Sequence, residues 1–203
     1  MTAGTVELRA GDAAVAVDPA MGGRLVSWRV RGMELLGARG TVPEEFGCYP
    51  MAPWPGRLRG NAVRFAGAAH RLPVTYLGFA MHGTLLRRPM DVAHQTPHRV
   101  ELRGELGPAW PWPGRATVIW ELDAGRLRSR LEVATDGDPF PAELGWHPGS
   151  AAAFPTGSRC GGGWRPAPCS SATPTACPRD AASTRRHFPG RSTTRSRCPT
   201  AGP

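Results

Sequence analysis

The sequence predicts an all-β protein: an antiparallel β-sandwich over residues 1–148, followed by a tail over 149–203 that has no core of its own. Three observations carry this. The first part breaks into short runs of alternating apolar and polar residues bounded by Gly, Asp and Pro. No segment shows a sustained apolar stripe at helical spacing. The last 55 of the 203 residues contain no Leu, Ile, Val, Met, Tyr, Glu or Lys.

The strands follow in order. Thr5-Val6-Glu7-Leu8-Arg9 alternates, and Gly11-Asp12 marks a turn. Ala14-Val15-Ala16-Val17 comes next and is stopped by Asp18-Pro19. Residues 21–30 form a third run, and Gly32 permits a turn before Met33-Glu34-Leu35-Leu36. Further strands are expected at 62–66, 70–73, 90–94, 99–106, 115–122, 126–135 and 141–146. The pair at 115–122 and 126–135, joined across Asp123-Ala124-Gly125, reads as a hairpin. Many short strands with regular turn signals imply a sandwich or barrel. Residues 46–60, FGCYPMAPWPGRLRG, break the pattern with three Pro and three Gly. They predict a shaped loop, because proline removes donors and fixes φ, and loops are where function concentrates.

Composition separates the two parts. The tail holds eight of the 22 Pro, four of the five Cys, and eight Arg against one acid, Asp180, which gives it +7 of the formal +9. So few apolar side chains cannot offset the entropy of ordering, and the tail is expected to be disordered. All 25 basic residues are Arg, which together with abundant Ala, Gly and Pro points to a GC-rich gene. No apolar run reaches membrane-spanning length, and the first residues lack a secretory pattern. The expectation is a soluble cytoplasmic protein with no membrane partner. Cys160, Cys169, Cys177 and Cys198 lack paired zinc-ligand spacing, so no metal is expected. No aromatic or motif pattern accompanies the tail's Arg, so no specific nucleic-acid partner is expected either.

Two histidines stand out. His82 lies in Ala80-Met81-His82-Gly83 and His147 in Gly145-Trp146-His147-Pro148, each beside a Gly or Pro at a strand end. A lone His is more often structural than catalytic. Two of them, with Arg57 in a rigid loop, make a set that could converge on a polyol. Arg offers a planar donor fork, and His donates, accepts or transfers protons near neutral pH. Trp54 and Trp146 could pack on sugar C–H faces, with core packing as the alternative for both; core packing is the expected place of Trp120.

The order GGRLVSWRVRGMELL, YPMAPWPGRLRGN, FAMHG, WPWPGRATVIWEL, DPFPAELGWHP resembles the aldose 1-epimerase (galactose mutarotase) family over about residues 5–148, its N-terminal portion. The most specific pieces are PMAPWPGRLRG, the His-Gly pair and GWHP. The resemblance implies an antiparallel galactose mutarotase-like supersandwich, incomplete here. It implies a hexose such as galactose or glucose as substrate, interconverted between α and β anomers without metal or cofactor. Ring opening needs a proton taken from the anomeric hydroxyl and one delivered to the ring oxygen. By the resemblance, His147 is the general acid and His82 binds and polarises the sugar beside it. Arg57 holds hydroxyls, and Trp54 lies in the same substrate-binding loop.

The sequence departs from the family after GWHP. The family continues with Trp-Phe, whereas Gly149-Ser150 follows here, and no Glu occurs after Glu143. The family's base, a Glu near the C-terminus, therefore has no counterpart, and activity is expected to be impaired. The genetic code offers a cause. One base restored before codons GGT-TCC for Gly149-Ser150 reads Trp-Phe, then apolar strand-like sequence, then a paired-Asp segment from residues 191–200. A single-base deletion at codon 149 is the expectation, tested by reading the gene at codons 148–150. Two other functions stay open: a non-catalytic carbohydrate-binding β-sandwich, and a hexose-6-phosphate 1-epimerase-like protein, for which Arg57 and Arg59 would be phosphate ligands.

Overall fold

The computed structural model describes residues 4–37 and 42–149. Apart from Gly149, the tail expected to be disordered lies outside the described residues, as does the predicted frame change within it.

Alternation sets the strands. Val6–Ala10 (β1) and Ala13–Asp18 (β2) pair across the Gly11-Asp12 turn, burying Val6, Leu8, Val15 and Val17 and exposing Glu7 and Arg9. Arg24–Val30 (β3) adds to β2, and Met33–Glu34 (β4) folds back on β3. Cys48–Met51 (β5) joins β3 at Leu25↔Cys48. Ala62–Phe65 (β6) and Ala68–Arg71 (β7) form a separate hairpin. Asp91–Thr96 (β8), Arg99–Glu105 (β9), Gly114–Asp123 (β10) and Arg126–Thr135 (β11) form a four-stranded antiparallel sheet in the order β11-β10-β9-β8. Gly145–Pro148 (β12) returns to pair with β5 and completes the first sheet, in the order β1-β2-β3-β5-β12.

Each predicted run finds its strand within a few residues, with two exceptions. The predicted shaped loop at 46–60 contains β5. Pro50 is tolerated there as a partner of Trp146 in a four-residue strand, and Tyr49 and Met51 are buried. The expected strand at 141–146 begins only at Gly145; residues 141–144 form a connection outside any strand, tied by Glu143 N–H donating to Pro53 O at 2.9 Å.

The two sheets face each other across one core. Val6, Leu8, Val15, Val17 and Leu25 come from the first sheet, and Val100, Leu102, Ala116, Val118, Trp120 and Leu122 from the second. Trp120 crosses between them: its indole Nε1–H donates to the carbonyl of Gly23 at 2.8 Å, a bond sealed inside the core. A side chain at Gly23 would be strained and would push on the core. The φ of Gly23 is +71°, and a Cβ would stand 2.8 Å from Leu102 Cδ1 on the opposite sheet. Among the described residues no helix is long and apolar enough to cross a membrane. Helical turns there are short 3-10 segments such as Pro19–Met21 and Leu85–Arg87.

Candidate active site

β5 ends at Met51 and the chain enters the loop Ala52-Pro53-Trp54-Pro55-Gly56-Arg57. A second loop, Tyr76 to Leu85, lies against it, and backbone hydrogen bonds zip the two together. Leu58 N–H donates to Ala80 O at 3.1 Å and His82 N–H donates to Gly56 O at 2.9 Å. Thr84 N–H donates to Ala52 O at 2.9 Å. The approach is so close that a Cβ on Gly83 would sit 1.9 Å from Ala52 O, and φ at Gly83 is +80°. His82 itself takes φ +59°, a strained left-handed conformation for a residue with a side chain. Gly83 is thus a backbone requirement, whereas His82 is held there against its backbone preference.

The same contact fixes the tautomer of His82. Gly56 N–H donates to His82 Nδ1 at 3.2 Å, so Nδ1 is the acceptor and the proton of the neutral ring sits on Nε2. Burial pulls the His82 pKa down to about 4, and the nearby His147 and Arg57 add to the displacement while Glu44 opposes it. His82 is therefore a neutral N–H donor at pH 7.

β12 brings His147 to this place through register. His147 pairs with Tyr49 across the β12–β5 ladder, and their rings stack at 4.7 Å with 8° between planes. The two imidazoles stand edge to face, 5.0 Å between centroids. Burial lowers the His147 pKa as well, and the positive Arg24 adds to this; a hydrogen bond to its own backbone opposes. At this separation two imidazolium charges would repel each other. His82, whose Nδ1 is taken by Gly56 N–H, is held as a neutral donor, and His147 faces it across this gap.

Arg57 is exposed at the rim, its guanidinium 5.6 Å from the centre of the Phe79 ring. Arg57, His82 and His147 therefore share one region. Trp54 does not join them. It is 5% exposed and stacked on Trp110 at 5.5 Å, inside the core. The expectation of a sugar-facing Trp54 is corrected: its indole is taken up by packing on Trp110 in the core. Trp146 is half-buried and packs on Trp120 at 4.6 Å.

Sequence reasoning missed the layer beneath. Tyr49 is fully buried, and its hydroxyl donates to Glu44 O at 3.1 Å. Glu44, 4% exposed, is paired with Arg87 at 2.6 Å. Arg24 is fully buried behind Tyr49. Nothing in local spacing joins residues 24, 44, 49 and 87. The one available signal was Arg24 itself, a charge at an inward position of an apolar strand. Among the described residues no group of three or more His, Cys, Asp or Glu is placed to hold a metal.

Comparison with known proteins agrees with this architecture. The family model described as aldose 1-epimerase matches residues 4–150. No curated protein matches the chain. Among solved structures, an aldose 1-epimerase candidate of Escherichia coli K12 superposes with TM-score 0.65 at 22% identity, covering 71% of this chain and 51% of its own. The Slr1438 protein of Synechocystis sp. PCC 6803 gives 0.59 at 25% identity, covering 71% and 53%. A galactose mutarotase-like protein of Clostridium acetobutylicum gives 0.67 at 16%, covering 76% and 52%. The chain thus spans about half the length of these solved relatives. A family match over well over half of the sequence, on a sandwich of the same fold as these structures, places the chain in the aldose 1-epimerase family.

Proposed function

We propose that the region around Arg57, His82 and His147 binds an aldohexose such as galactose or glucose and handles the ring-opening proton. The observation that carries this reading is the edge-to-face pair of imidazoles 5.0 Å apart, one locked as a neutral Nε2–H donor by Gly56. His82 would donate to a sugar oxygen, and His147 would deliver a proton to the ring oxygen. Arg57 would hold neighbouring hydroxyls with its planar fork.

Opening the ring also needs a base for the anomeric hydroxyl, on the other side of the sugar. No Glu follows Glu143. Glu44, the carboxylate whose charge reaches His82, is buried against Arg87, and Glu45 accepts from Tyr76 Oη at 2.5 Å. We therefore read this chain as a sugar binder with weak or absent anomer interconversion, since a positioned base contributes roughly 10²–10⁴-fold. Polarimetry of fresh α-galactose or α-glucose, beside calorimetric titration of the same sugars, tests both halves. Binding with a rotation rate equal to buffer is the expected result. A rate far above buffer overturns the missing-base reading, and absence of binding overturns the site.

A further inference from the structure

A fully buried arginine lies behind His147. The side chain of Arg24 is 0% exposed, yet it makes one hydrogen bond, from Nη1 to the carbonyl of Phe46 at 2.6 Å. Its Nε and Nη2 are buried and have no hydrogen-bond partner among the described residues. A buried guanidinium is ordinarily matched by a carboxylate, and two unmet donors are unfavourable. The two acids that act on it are engaged elsewhere: Asp18 Oδ1 accepts from Ala20 N–H at 2.9 Å, and Glu44 is paired with Arg87 at 2.6 Å. Burial pulls even the Arg24 pKa down, to about 10, so it remains charged at pH 7.

What Arg24 does have close by is two aromatic rings. Its Cζ lies 4.1 Å from the Phe46 ring centre and 4.8 Å from that of Tyr49. Tyr49 in turn stacks on His147, nearly parallel. His82 stands edge-on to both rings, 5.9 Å from Tyr49 and 5.0 Å from His147. Phe46, Arg24, Tyr49 and His147 thus follow one another in a column of contacts, with His82 edge-on to its last two rings.

We propose that Arg24 is a positioning residue, which clamps Tyr49 so that the tyrosine ring presents His147 in a fixed plane toward the sugar site. The role of the column as catalytic support rests on the proposed sugar-binding function; the column itself does not. The groups that act on His147 are Arg24 from β3, Tyr49 from β5 and His82 from the facing loop. Cys48 adjoins on β5, and Glu44 with Arg87 lies beyond Tyr49. A cation one ring away opposes a second positive charge on His147, in the direction the burial of that ring already sets.

The test is NMR of the histidine rings in the full chain, without sugar and then with galactose. In the unsubstituted protein His147 is expected to show an upfield ring-current displacement from Tyr49 and to titrate below the ordinary 6.5. Arg24→Met should reduce that displacement and raise the titration midpoint toward the ordinary value, and weaken galactose binding about tenfold. Tyr49→Leu should abolish the displacement and weaken galactose binding with Arg24 still in place, and Tyr49→Phe, which keeps the ring, should behave like the parent. Where Arg24→Met fails to fold, the Tyr49 pair and the unsubstituted protein decide. An unshifted His147 in the parent, an unchanged midpoint and displacement in a folded Arg24→Met, or unchanged galactose binding in a folded Tyr49→Leu, overturns the proposal. Absence of galactose binding by the parent, with the ring signals as expected, overturns the sugar-site reading alone.

Discussion

His82 and Gly83 show how far a two-residue signal reaches. The sequence presents them as a histidine beside a turn residue; the fold adds that Gly83 passes within contact of the Ala52 carbonyl. Gly83→Ala is expected to destabilise the protein by about 2–4 kcal/mol, since positive φ and a backbone clash act together. Urea unfolding measures it, and a loss under about 0.5 kcal/mol would contradict the described backbone. His82 also makes stability depend on pH. In the unfolded chain it takes up a proton near 6.5, in the fold only near 4. Between these values the unfolded state binds more protons, so stability falls as pH is lowered through that window. The expected loss from pH 7 to pH 5 is about 2 kcal/mol at most, with His147 adding in the same direction. His82→Gln should flatten the profile; an equally steep profile in that variant would assign the effect elsewhere.

At the scale of elements, alternation made the β10–β11 hairpin legible: β10 buries every second residue, and β11 leans Leu127, Leu131 and Val133 on the core while the rest of the strand is exposed. β5 was hidden for the opposite reason. Pro50 and the surrounding glycines read as a loop, and what makes Cys48–Met51 a strand is its pairing with β12, about a hundred residues away. That pairing also explains why His147 was found as a candidate but Tyr49 was not: cross-strand register is a tertiary fact. Trp54 was misplaced because proline-rich surroundings suggest exposure, whereas the loop folds it against Trp110. Trp120 was read as core, and its bond to Gly23 explains why that position suits Trp. Trp120→Phe leaves the Gly23 carbonyl without its buried donor and a cavity where the indole was. A loss of about 2–3 kcal/mol is expected. A thermal midpoint within a degree of the parent would show that the indole does not bridge the sheets.

Over the whole molecule, the strand runs and the family motifs were readable over residues 5–148, and the family match covers 4–150. The two sheets end differently. β11 carries Arg126, Arg128 and Arg130 along the outer strand of its sheet, a charged edge that discourages pairing. β12, Gly-Trp-His-Pro, ends the other sheet among the described residues and bears no formal charge beyond its histidine. We propose that this edge makes the isolated chain prone to self-association. Light scattering should rise with concentration, and Leu144→Lys, at an exposed apolar residue just before β12, should reduce it. A monodisperse monomer at high concentration would contradict the proposal.

The central claim is that His82 and His147 act on one sugar. The most direct measurement follows the Nε2 and C–H resonances of both rings while galactose or glucose is added to the full chain. The account predicts that both sets shift together along one saturating curve, and that Arg57→Ala weakens that curve about tenfold or more. Rings that stay unmoved at saturating sugar, or that shift with different affinities, would contradict it.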